Sequence, residues 1–224
     1  MIEKELKYII SEKDFLKLKK YFDDLKMDNE IHELKNIYFD SENLSLLNSG
    51  VSLRLRHYSN KNRWVFTYKC SIKGKLYDQR REGTLINEEL SENISEETAR
   101  KLLDSEIAVW EMEYDFIDRL KEHMKEIDPD SISVKEIAEV NVTRRKYILK
   151  PYNIPVELDE IIYKNGKKKE YEIESETDNL ALAESVLMNF KNRLKIELKP
   201  SSEPKIIRTL KQEGYEDKIY YKWI

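Results

Sequence analysis

The 224-residue sequence contains one cysteine, Cys70, so an internal disulfide and a cysteine-rich metal site are both excluded. Its three histidines, His32, His57 and His123, lie far apart and lack the spacing of a histidine metal site. With only five glycines and five prolines there is no low-complexity linker, and we find no internal repeat. The chain is therefore predicted to form a single domain without a disulfide framework.

Long apolar runs and an excess of one charge sign are also missing. No stretch is long and apolar enough to cross a bilayer, and the first thirty residues hold no apolar signal segment. Lysine and arginine number 40 against 44 acidic residues, whereas a general nucleic-acid binder needs a basic excess. We therefore expect a soluble cytoplasmic protein that binds neither a membrane nor nucleic acid.

Hydrophobic residues make up 40% of the chain, which is ample for a folded core. Period-two alternation predicts strands over residues 34–40, 51–58, 63–70, 75–86, 139–149, 154–163 and 168–176, with a short one within 193–200. Helical spacing predicts helices over 11–25, twice within 95–126, over 180–190 and 203–212, and a short one before Gly50. Helices thus lie between the strands and after them, which favours an α+β fold with an antiparallel or mixed sheet.

The polar faces of these strands are charged in a systematic way. For any one strand, the ordinary interpretation is a face in contact with water. Repeated rows favour another interpretation, since in a closed barrel one face of every strand points inward. The inward rows would hold bases from four strands and acids from three. The apolar residues that would then face outward, under the helices, are Leu53, Leu55, Trp64, Phe66, Leu158 and Ile173.

Buried charges of both signs are costly unless they are paired or bind a ligand. An anion with several negative charges, accompanied by a divalent metal ion, would satisfy both sets. Carboxylates hold Mg²⁺ or Mn²⁺ through oxygen, while arginine and lysine bind phosphate oxygens. The pattern therefore predicts a metal-dependent polyphosphate site.

The segment IEKELK, residues 2–7, fits two local structures. As a strand it places Glu3, Glu5 and Lys7 on one face. As a helix it pairs Glu3 with Lys7 on a solvated surface, and its apolar residues would share one helical face. The segment alone does not decide between the two structures.

The succession of motifs resembles the CYTH superfamily, the triphosphate tunnel metalloenzymes, across nearly the whole chain. IEKELK is similar to its E-x-E-x-K signature, residues 37–56 to its aromatic-aromatic-Asp segment followed by Gly and L-R-x-R, and WVFTYK to its W-x-x-T-x-K strand. Further matches are Arg80-Arg81-Glu82 to R-x-E, RRKY (144–147) to a basic pair, VELDE (156–160) to E-x-D, YEIESE (171–176) to E-I-E, and residues 204–208 to S-K-x-x-R. The resemblance makes residues 2–7 a strand.

The resemblance implies one tunnel domain over residues 1–224, an eight-stranded antiparallel β-barrel with helices packed outside. Three features depart from the family pattern. Pro204 stands where the family has serine, and residues 87–138 form a longer, helical insertion that would be an outer cover or an oligomer contact, so a homodimer stays open. Within residues 144–146, Arg144 and Lys146 are in phase, and we expect these two to face inward.

The resemblance also implies roles for the charged rows. The residues expected to bind phosphate are Lys7, Arg54, Arg56, Lys69, Arg80, Arg144, Lys146, Lys205 and Arg208. Those expected to hold one or two Mg²⁺ or Mn²⁺ ions are Glu3, Glu5, Asp159, Glu172 and Glu174, with Glu157 and Glu176 left open. The residues expected to act in catalysis are Glu3, Glu5, Lys7 and Glu174. Each base could instead form an ion pair within the lumen, and each acid could instead lie exposed on the surface.

The activity that the resemblance implies is hydrolysis of a triphosphate. Inorganic triphosphate, giving diphosphate and phosphate, is the expected substrate, with thiamine triphosphate and nucleoside triphosphates as alternatives. A class IV adenylate cyclase, which converts ATP to cyclic AMP and diphosphate, would use the same lumen residues. A polyphosphate or nucleotide sensor without catalysis is the third interpretation, although such a sensor needs no metal-binding acids.

Overall fold

The computed structural model describes residues 1–25, 27, 29–72, 82–124, 132–164 and 168–220. Its strands are β1 (Ile2–Ile10), β2 (Asn29–Asp40), β3 (Val51–Tyr58), β4 (Arg63–Ser71), β5 (Thr84–Ile94), β6 (Lys135–Leu149), β7 (Ile154–Tyr163), β8 (Lys169–Glu176) and β9 (Lys199–Pro200). Its α-helices are α1 (Glu12–Asp24), α2 (Ser45–Asn48), α3 (Glu96–Leu103), α4 (Asp115–His123), α5 (Leu180–Leu194) and α6 (Lys205–Gln212). Short 3₁₀ helices cover Val109–Glu111 and Glu216–Lys218.

Eight of the strands form a closed antiparallel ring in the order β5-β4-β3-β2-β6-β7-β8-β1. The ring closes at β1, whose first residues pair with β5 and whose last residues pair with β8. The two-residue β9 adds to β1 outside this ring, opposite Tyr8 and Ile9. The predicted α+β fold, an eight-stranded antiparallel barrel with helices around it, is therefore confirmed.

The helices cover the outer wall because the outward residues of the strands are apolar. Helices α3 and α4 lie over β3 and β4, where Leu102, Phe116 and Leu120 pack against this wall. Helices α1 and α5 lie over β1, β7 and β8, where Leu18 and Leu187 pack in the same way. The six residues predicted to face outward all lie in these two clusters, namely Leu53, Leu55, Trp64, Phe66, Leu158 and Ile173.

Helix α6 packs against the interior side of the strands rather than their outer wall. Its residues Ile206, Ile207 and Leu210 are buried together with inward residues of β6 and β7, such as Val142 and Ile161. The helix begins after Pro204, whose side chain makes no capping hydrogen bond. The inward positions that pack against α6 are apolar, and the inward positions beyond its first turn are charged. Helix α6 therefore separates an apolar end of the barrel interior from a polar cavity.

Two boundaries predicted for the middle of the chain are wrong. The strand predicted over 75–86 lies partly outside the described residues, and the described strand runs from Thr84 to Ile94. Strand β5 continues to Ile94 and strand β6 begins at Lys135, so the segment between these two strands is shorter than the insertion predicted over about 87–138. The end of β5 was not recognisable in the sequence. Glu88 and Glu92 are polar on its outer face, and Asn87 and Glu89 are polar on its inner face, so apolar and polar residues do not alternate there.

Other boundaries shift by a few residues. Strand β2 starts at Asn29 instead of residue 34, and the segment 193–200 contributes only Lys199–Pro200 as strand. The second helix within 95–126 is limited to α4, because Trp110 lies in a 3₁₀ turn. Among the described residues, none of the helices could cross a membrane.

Candidate active site

A cavity of about 230 Å³ lies inside the barrel. Every strand of the ring contributes inward residues to it, and α6 contributes its first turn. The lining residues are Glu3, Glu5, Lys7, Tyr38, Ser52, Arg54, Arg56, Tyr58, Lys69, Leu85, Asn87, Glu89, Arg144, Lys146, Glu157, Glu174, Glu176, Pro204, Lys205 and Ile206. Seven are cationic and six are carboxylates, so the charges of the described lining nearly balance.

Strand register places many of these opposite charges against each other. Lys146 on β6 lies directly opposite Glu157 on β7, and its Nζ is 2.6 Å from that carboxylate. Lys69 on β4 lies opposite Glu89 on β5, also at 2.6 Å. Because directly opposed side chains in antiparallel strands are close neighbours, the register itself forms these ion pairs.

The residues of IEKELK lie in a strand, and alternate side chains of β1 point into the cavity. The Nζ of Lys7 lies 2.8 Å from Glu5 and 3.1 Å from Glu174. Burial and, next to it, the charge of Glu174 raise the pKa of Glu5 to about 8, although Lys7 opposes the shift. Burial alone would lower the pKa of Lys7, but the Glu5 and Glu174 charges raise it instead. Glu5 is therefore protonated near neutral pH unless another cation takes the place of the proton.

Three fully or nearly fully buried carboxylates form an acidic cluster beside α6. Oxygen atoms of Asp159, Glu172 and Glu174 lie within 4.8 Å of one another. Lys205 reaches this cluster from α6, with its Nζ 2.7 Å from Asp159, and it also pairs with Glu172. Arg144 donates hydrogen bonds to Asp159 at 2.8 Å and 2.6 Å. The cluster is thus neutralised by cationic side chains that belong to the protein itself.

The chemistry of this cluster fits a hard divalent cation. Its donors are all carboxylate oxygens, which Mg²⁺ and Mn²⁺ prefer to nitrogen or sulfur ligands. Although burial opposes it, the cations Lys205, Lys7 and Arg144 hold the pKa of Glu174 well below its ordinary value. Glu174 is therefore ionised and ready to act as a ligand. A metal ion bound there would compete with Lys205 for the same oxygens.

Arg54 and Arg56 differ from the other cations of the cavity. Within the part of the chain that the structure describes, neither has a carboxylate oxygen within 4.0 Å. Arg54 donates a long hydrogen bond of 3.4 Å to Thr67, and its buried Nε has no partner. Burial, with the nearby charge of Arg54 and Arg144, lowers the pKa of Arg56. Two neighbouring cations that have no carboxylate oxygen within 4.0 Å in the described part of the chain are chemically suited to an anion.

The structure brings together most of the predicted site residues. Ten of them line the cavity: Glu3, Glu5, Lys7, Arg54, Arg56, Lys69, Arg144, Lys146, Glu174 and Lys205. Asp159, Glu172 and Arg208 do not line it but lie in and beside the acidic cluster, where Arg208 pairs with Glu172. Arg80 lies outside the described residues.

Arg144 and Lys146 face inward as expected, whereas Arg145 lies on the outer wall, 5.9 Å from the ring of Phe15. Glu157 and Glu176, which the sequence left open, also line the cavity. Sequence reasoning missed Tyr38, Tyr58, Asn87 and Glu89. Tyr38 lies two residues from Asn36 and Tyr58 two residues from Arg56, so each tyrosine shares its strand face with an inward polar residue, and this spacing could have indicated both tyrosines. Strand β5 lacks a comparable pattern.

The fold is thus a closed eight-stranded antiparallel barrel around a charged cavity. The model of the CYTH domain matches residues 1–209, and the chain belongs to this family. A search of curated protein sequences gives no match.

Solved structures share the fold over almost the whole chain. The Hippeastrum protein HpAC1, named an adenylyl cyclase and described as having a dominant triphosphatase activity, matches with a TM-score of 0.78 at 20% identity, covering 99% of this chain and 98% of that one. A Bacillus halodurans protein named an adenylate cyclase gives 0.68 at 22% identity, covering 91% and 95%. The PH1819 protein of Pyrococcus horikoshii gives 0.53 at 21% identity, covering 95% and 99%. At such identities the likeness concerns the fold alone.

Proposed function

We propose that the protein is a metal-dependent triphosphatase that hydrolyses inorganic triphosphate to diphosphate and phosphate. The observation that carries this proposal is the pair Arg54 and Arg56, two cations in the cavity without a carboxylate partner among the described residues. Carboxylates of β1 and β8, in contrast, lie with them in one enclosed space. Such a cavity offers one wall to phosphate oxygens and another to a divalent cation.

The size of the cavity supports a small inorganic anion. Its volume of about 230 Å³ lies below the roughly 300–1,000 Å³ of pockets that enclose drug-sized ligands. A chain of phosphates needs little room, whereas the base and ribose of a nucleotide would extend beyond the described cavity. Thiamine triphosphate and nucleoside triphosphates therefore rank below inorganic triphosphate.

The balance of charge supports the need for a metal. The described lining holds seven cations against six carboxylates, so it has little net positive charge to offset a triphosphate. Additional positive charge must enter with the substrate, and Mg²⁺ or Mn²⁺ suits the carboxylate oxygens present. We propose that one or two such ions bind to Glu3, Glu5, Asp159, Glu172 and Glu174.

The proposed mechanism relies on position and charge, as phosphoryl transfer generally does. The residues proposed to bind phosphate oxygens are Lys7, Arg54, Arg56, Lys69, Arg80, Arg144, Lys146, Lys205 and Arg208. The metal, when bound, would neutralise phosphate charge and polarise a water molecule. Lys7 stabilises the charge that develops on the departing diphosphate, while Glu3, Glu5 and Glu174 orient the attacking water. The proton of that water passes to whichever one of these carboxylates is ionised.

The test is a panel of substrates and metals. Purified protein with Mg²⁺ or Mn²⁺ should release phosphate from inorganic triphosphate faster than from thiamine triphosphate or ATP. Chelation by EDTA should abolish the release. If no triphosphate yields phosphate with either metal, the hydrolase proposal fails.

The cyclase alternative uses the same cavity, and two fold neighbours carry the name of adenylyl or adenylate cyclase. Product analysis with ATP separates the two activities. A cyclase gives cyclic AMP and diphosphate, whereas a hydrolase gives phosphate with ADP, or AMP with diphosphate. Tight binding of triphosphate without turnover would instead indicate the sensor.

A further inference from the structure

Arg56, one of the two cations without a carboxylate partner, is held by a neutral side chain. Its Nε donates a hydrogen bond of 2.7 Å to Oδ1 of Asn36, which lies directly opposite it on β2. Asn36 is completely buried, and no sequence motif singled it out. Its Nδ2 has no hydrogen-bond partner within the described residues. An amide with an unsatisfied buried N–H group is costly, so this position demands a physical reason.

A neutral hydrogen-bond acceptor orients an arginine side chain without neutralising its charge. An amide oxygen fixes Nε, which restricts the direction of the guanidinium group, but it leaves the positive charge intact. A carboxylate at the same place would fix the group equally well and also neutralise it. The other buried bases illustrate that case, since Arg144 and Lys205 are both paired with Asp159.

We propose that Asn36 is a positioning residue that aims Arg56 at the anion while keeping its charge available. The proposal rests on the proposed function, because the anion is the triphosphate. Asn36 does not line the cavity and touches no substrate; it acts through Arg56. The structure therefore predicts that a negative charge at position 36 weakens anion binding without lowering stability.

The test compares Asn36→Asp with the wild-type protein. Aspartate has the shape of asparagine and places a carboxylate against Arg56. Thermal unfolding should show an unchanged or raised Tm, because the buried arginine gains an ion pair. Calorimetric titration with inorganic triphosphate, once with EDTA and once with Mg²⁺ at low temperature, should show a Kd raised at least about tenfold. If Asn36 had only a structural role, Asn36→Asp would not raise the Kd for triphosphate while leaving the Tm unchanged or raised.

The matched control is Asn141→Asp, which adds the same charge to the outer face of the same barrel. Asn141 is exposed on β6, directly opposite Lys35 on β2. This variant should bind triphosphate within about twofold of wild type, since exposed charges are strongly screened. Asn36→Ala gives a second variant in which Arg56 keeps its charge and its hydrogen bond with Tyr58 but loses the one with Asn36, and its Kd should rise about threefold or more.

The outcomes separate two failures. If wild-type protein binds no triphosphate under either condition, the proposed function fails and this inference fails with it. If wild type binds triphosphate but folded Asn36→Asp binds it equally well, only the role of Asn36 is refuted. Should Asn36→Asp not fold, a folded Asn36→Ala with wild-type affinity refutes it in the same way.

Discussion

Lys69 and Glu3 join two strands that are not neighbours in the ring. Lys69 Nζ on β4 lies 2.7 Å from both carboxylate oxygens of Glu3 on β1, and β5 separates these strands. Lys69 thus forms ion pairs with Glu3 and Glu89 at once. The same charged groups that are proposed to bind metal and phosphate therefore also pair with one another across the barrel.

The first prediction concerns this link. Lys69→Met should lower the free energy of unfolding by about 2–4 kcal/mol, because it leaves two carboxylates of the interior without their cation. Urea denaturation measures the loss. Lys4→Met is the matched control, because the Lys4–Asp178 pair lies on the surface and contributes less than about 1 kcal/mol. Equal stability of the two variants would contradict this account.

The second prediction concerns pH. The pKa of Glu5 is about 8 in the folded protein against an ordinary value of 4.5, so the folded state binds the proton more tightly than the unfolded state. The resulting stabilisation is complete below about pH 4.5 and is lost as the pH rises through 8. Without divalent metal, Glu5→Gln should therefore gain Tm relative to wild type as the pH increases from 5 to 9. A Tm difference that stays constant over that range would argue against a protonated Glu5.

The third prediction assigns a structural role to Asp40, which the sequence places in the aromatic-aromatic-Asp motif. Its carboxylate is buried and accepts hydrogen bonds from the backbone N–H groups of Ser41, Leu46 and Leu47, at 2.7, 2.9 and 2.9 Å. Asp40→Asn replaces an acceptor with a donor facing these N–H groups. It should cost about 2–4 kcal/mol of stability.

Because Asp40 does not line the cavity, folded Asp40→Asn should keep its affinity for triphosphate. Calorimetry below the Tm of the variant checks this point. Loss of triphosphate binding with unchanged stability would reverse the assignment and make Asp40 a residue of the site.

The fourth prediction concerns Lys205 and the metal. Lys205 occupies the acidic cluster, so Lys205→Met should leave Asp159 and Glu172 short of positive charge. Added Mn²⁺ should then raise the Tm of the variant by several degrees more than it raises that of wild type. Lys211→Met on the same helix, whose partner Glu203 is half exposed, is the control and should respond like wild type. An identical shift in all three proteins would mean that metal and Lys205 do not share ligands.

Much of the fold was predictable because alternation is strong wherever one face of a strand is apolar. Strands β3 and β7 match their predicted limits, since Leu53, Leu55 and Leu158 mark the outer face clearly. The end of strand β5 was predicted wrongly because Glu88 and Glu92 flank Leu90 on its outer face, while Asn87 and Glu89 are polar on its inner face. Binary patterning carries little information where neither face is consistently apolar.

The candidate site was predictable as a set of charges but not as a set of pairs. Motifs identified the inward rows, whereas strand register and the insertion of α6 decide which charges meet. No sequence pattern shows that Arg144 donates a hydrogen bond to Asp159, whereas Arg56 donates one to Asn36. The distinction between paired and unpaired cations, on which the proposed function depends, therefore required the structure.

The most direct test of the central claim is steady-state hydrolysis of inorganic triphosphate by three proteins in Mg²⁺. The double variant Arg54→Gln/Arg56→Gln should fall at least about a hundredfold below wild type in kcat/KM, because two cations that face the anion are lost. Arg145→Gln, which removes an arginine from the outer wall, should stay within about twofold of wild type. Hydrolysis by the double variant at the wild-type rate would contradict the account.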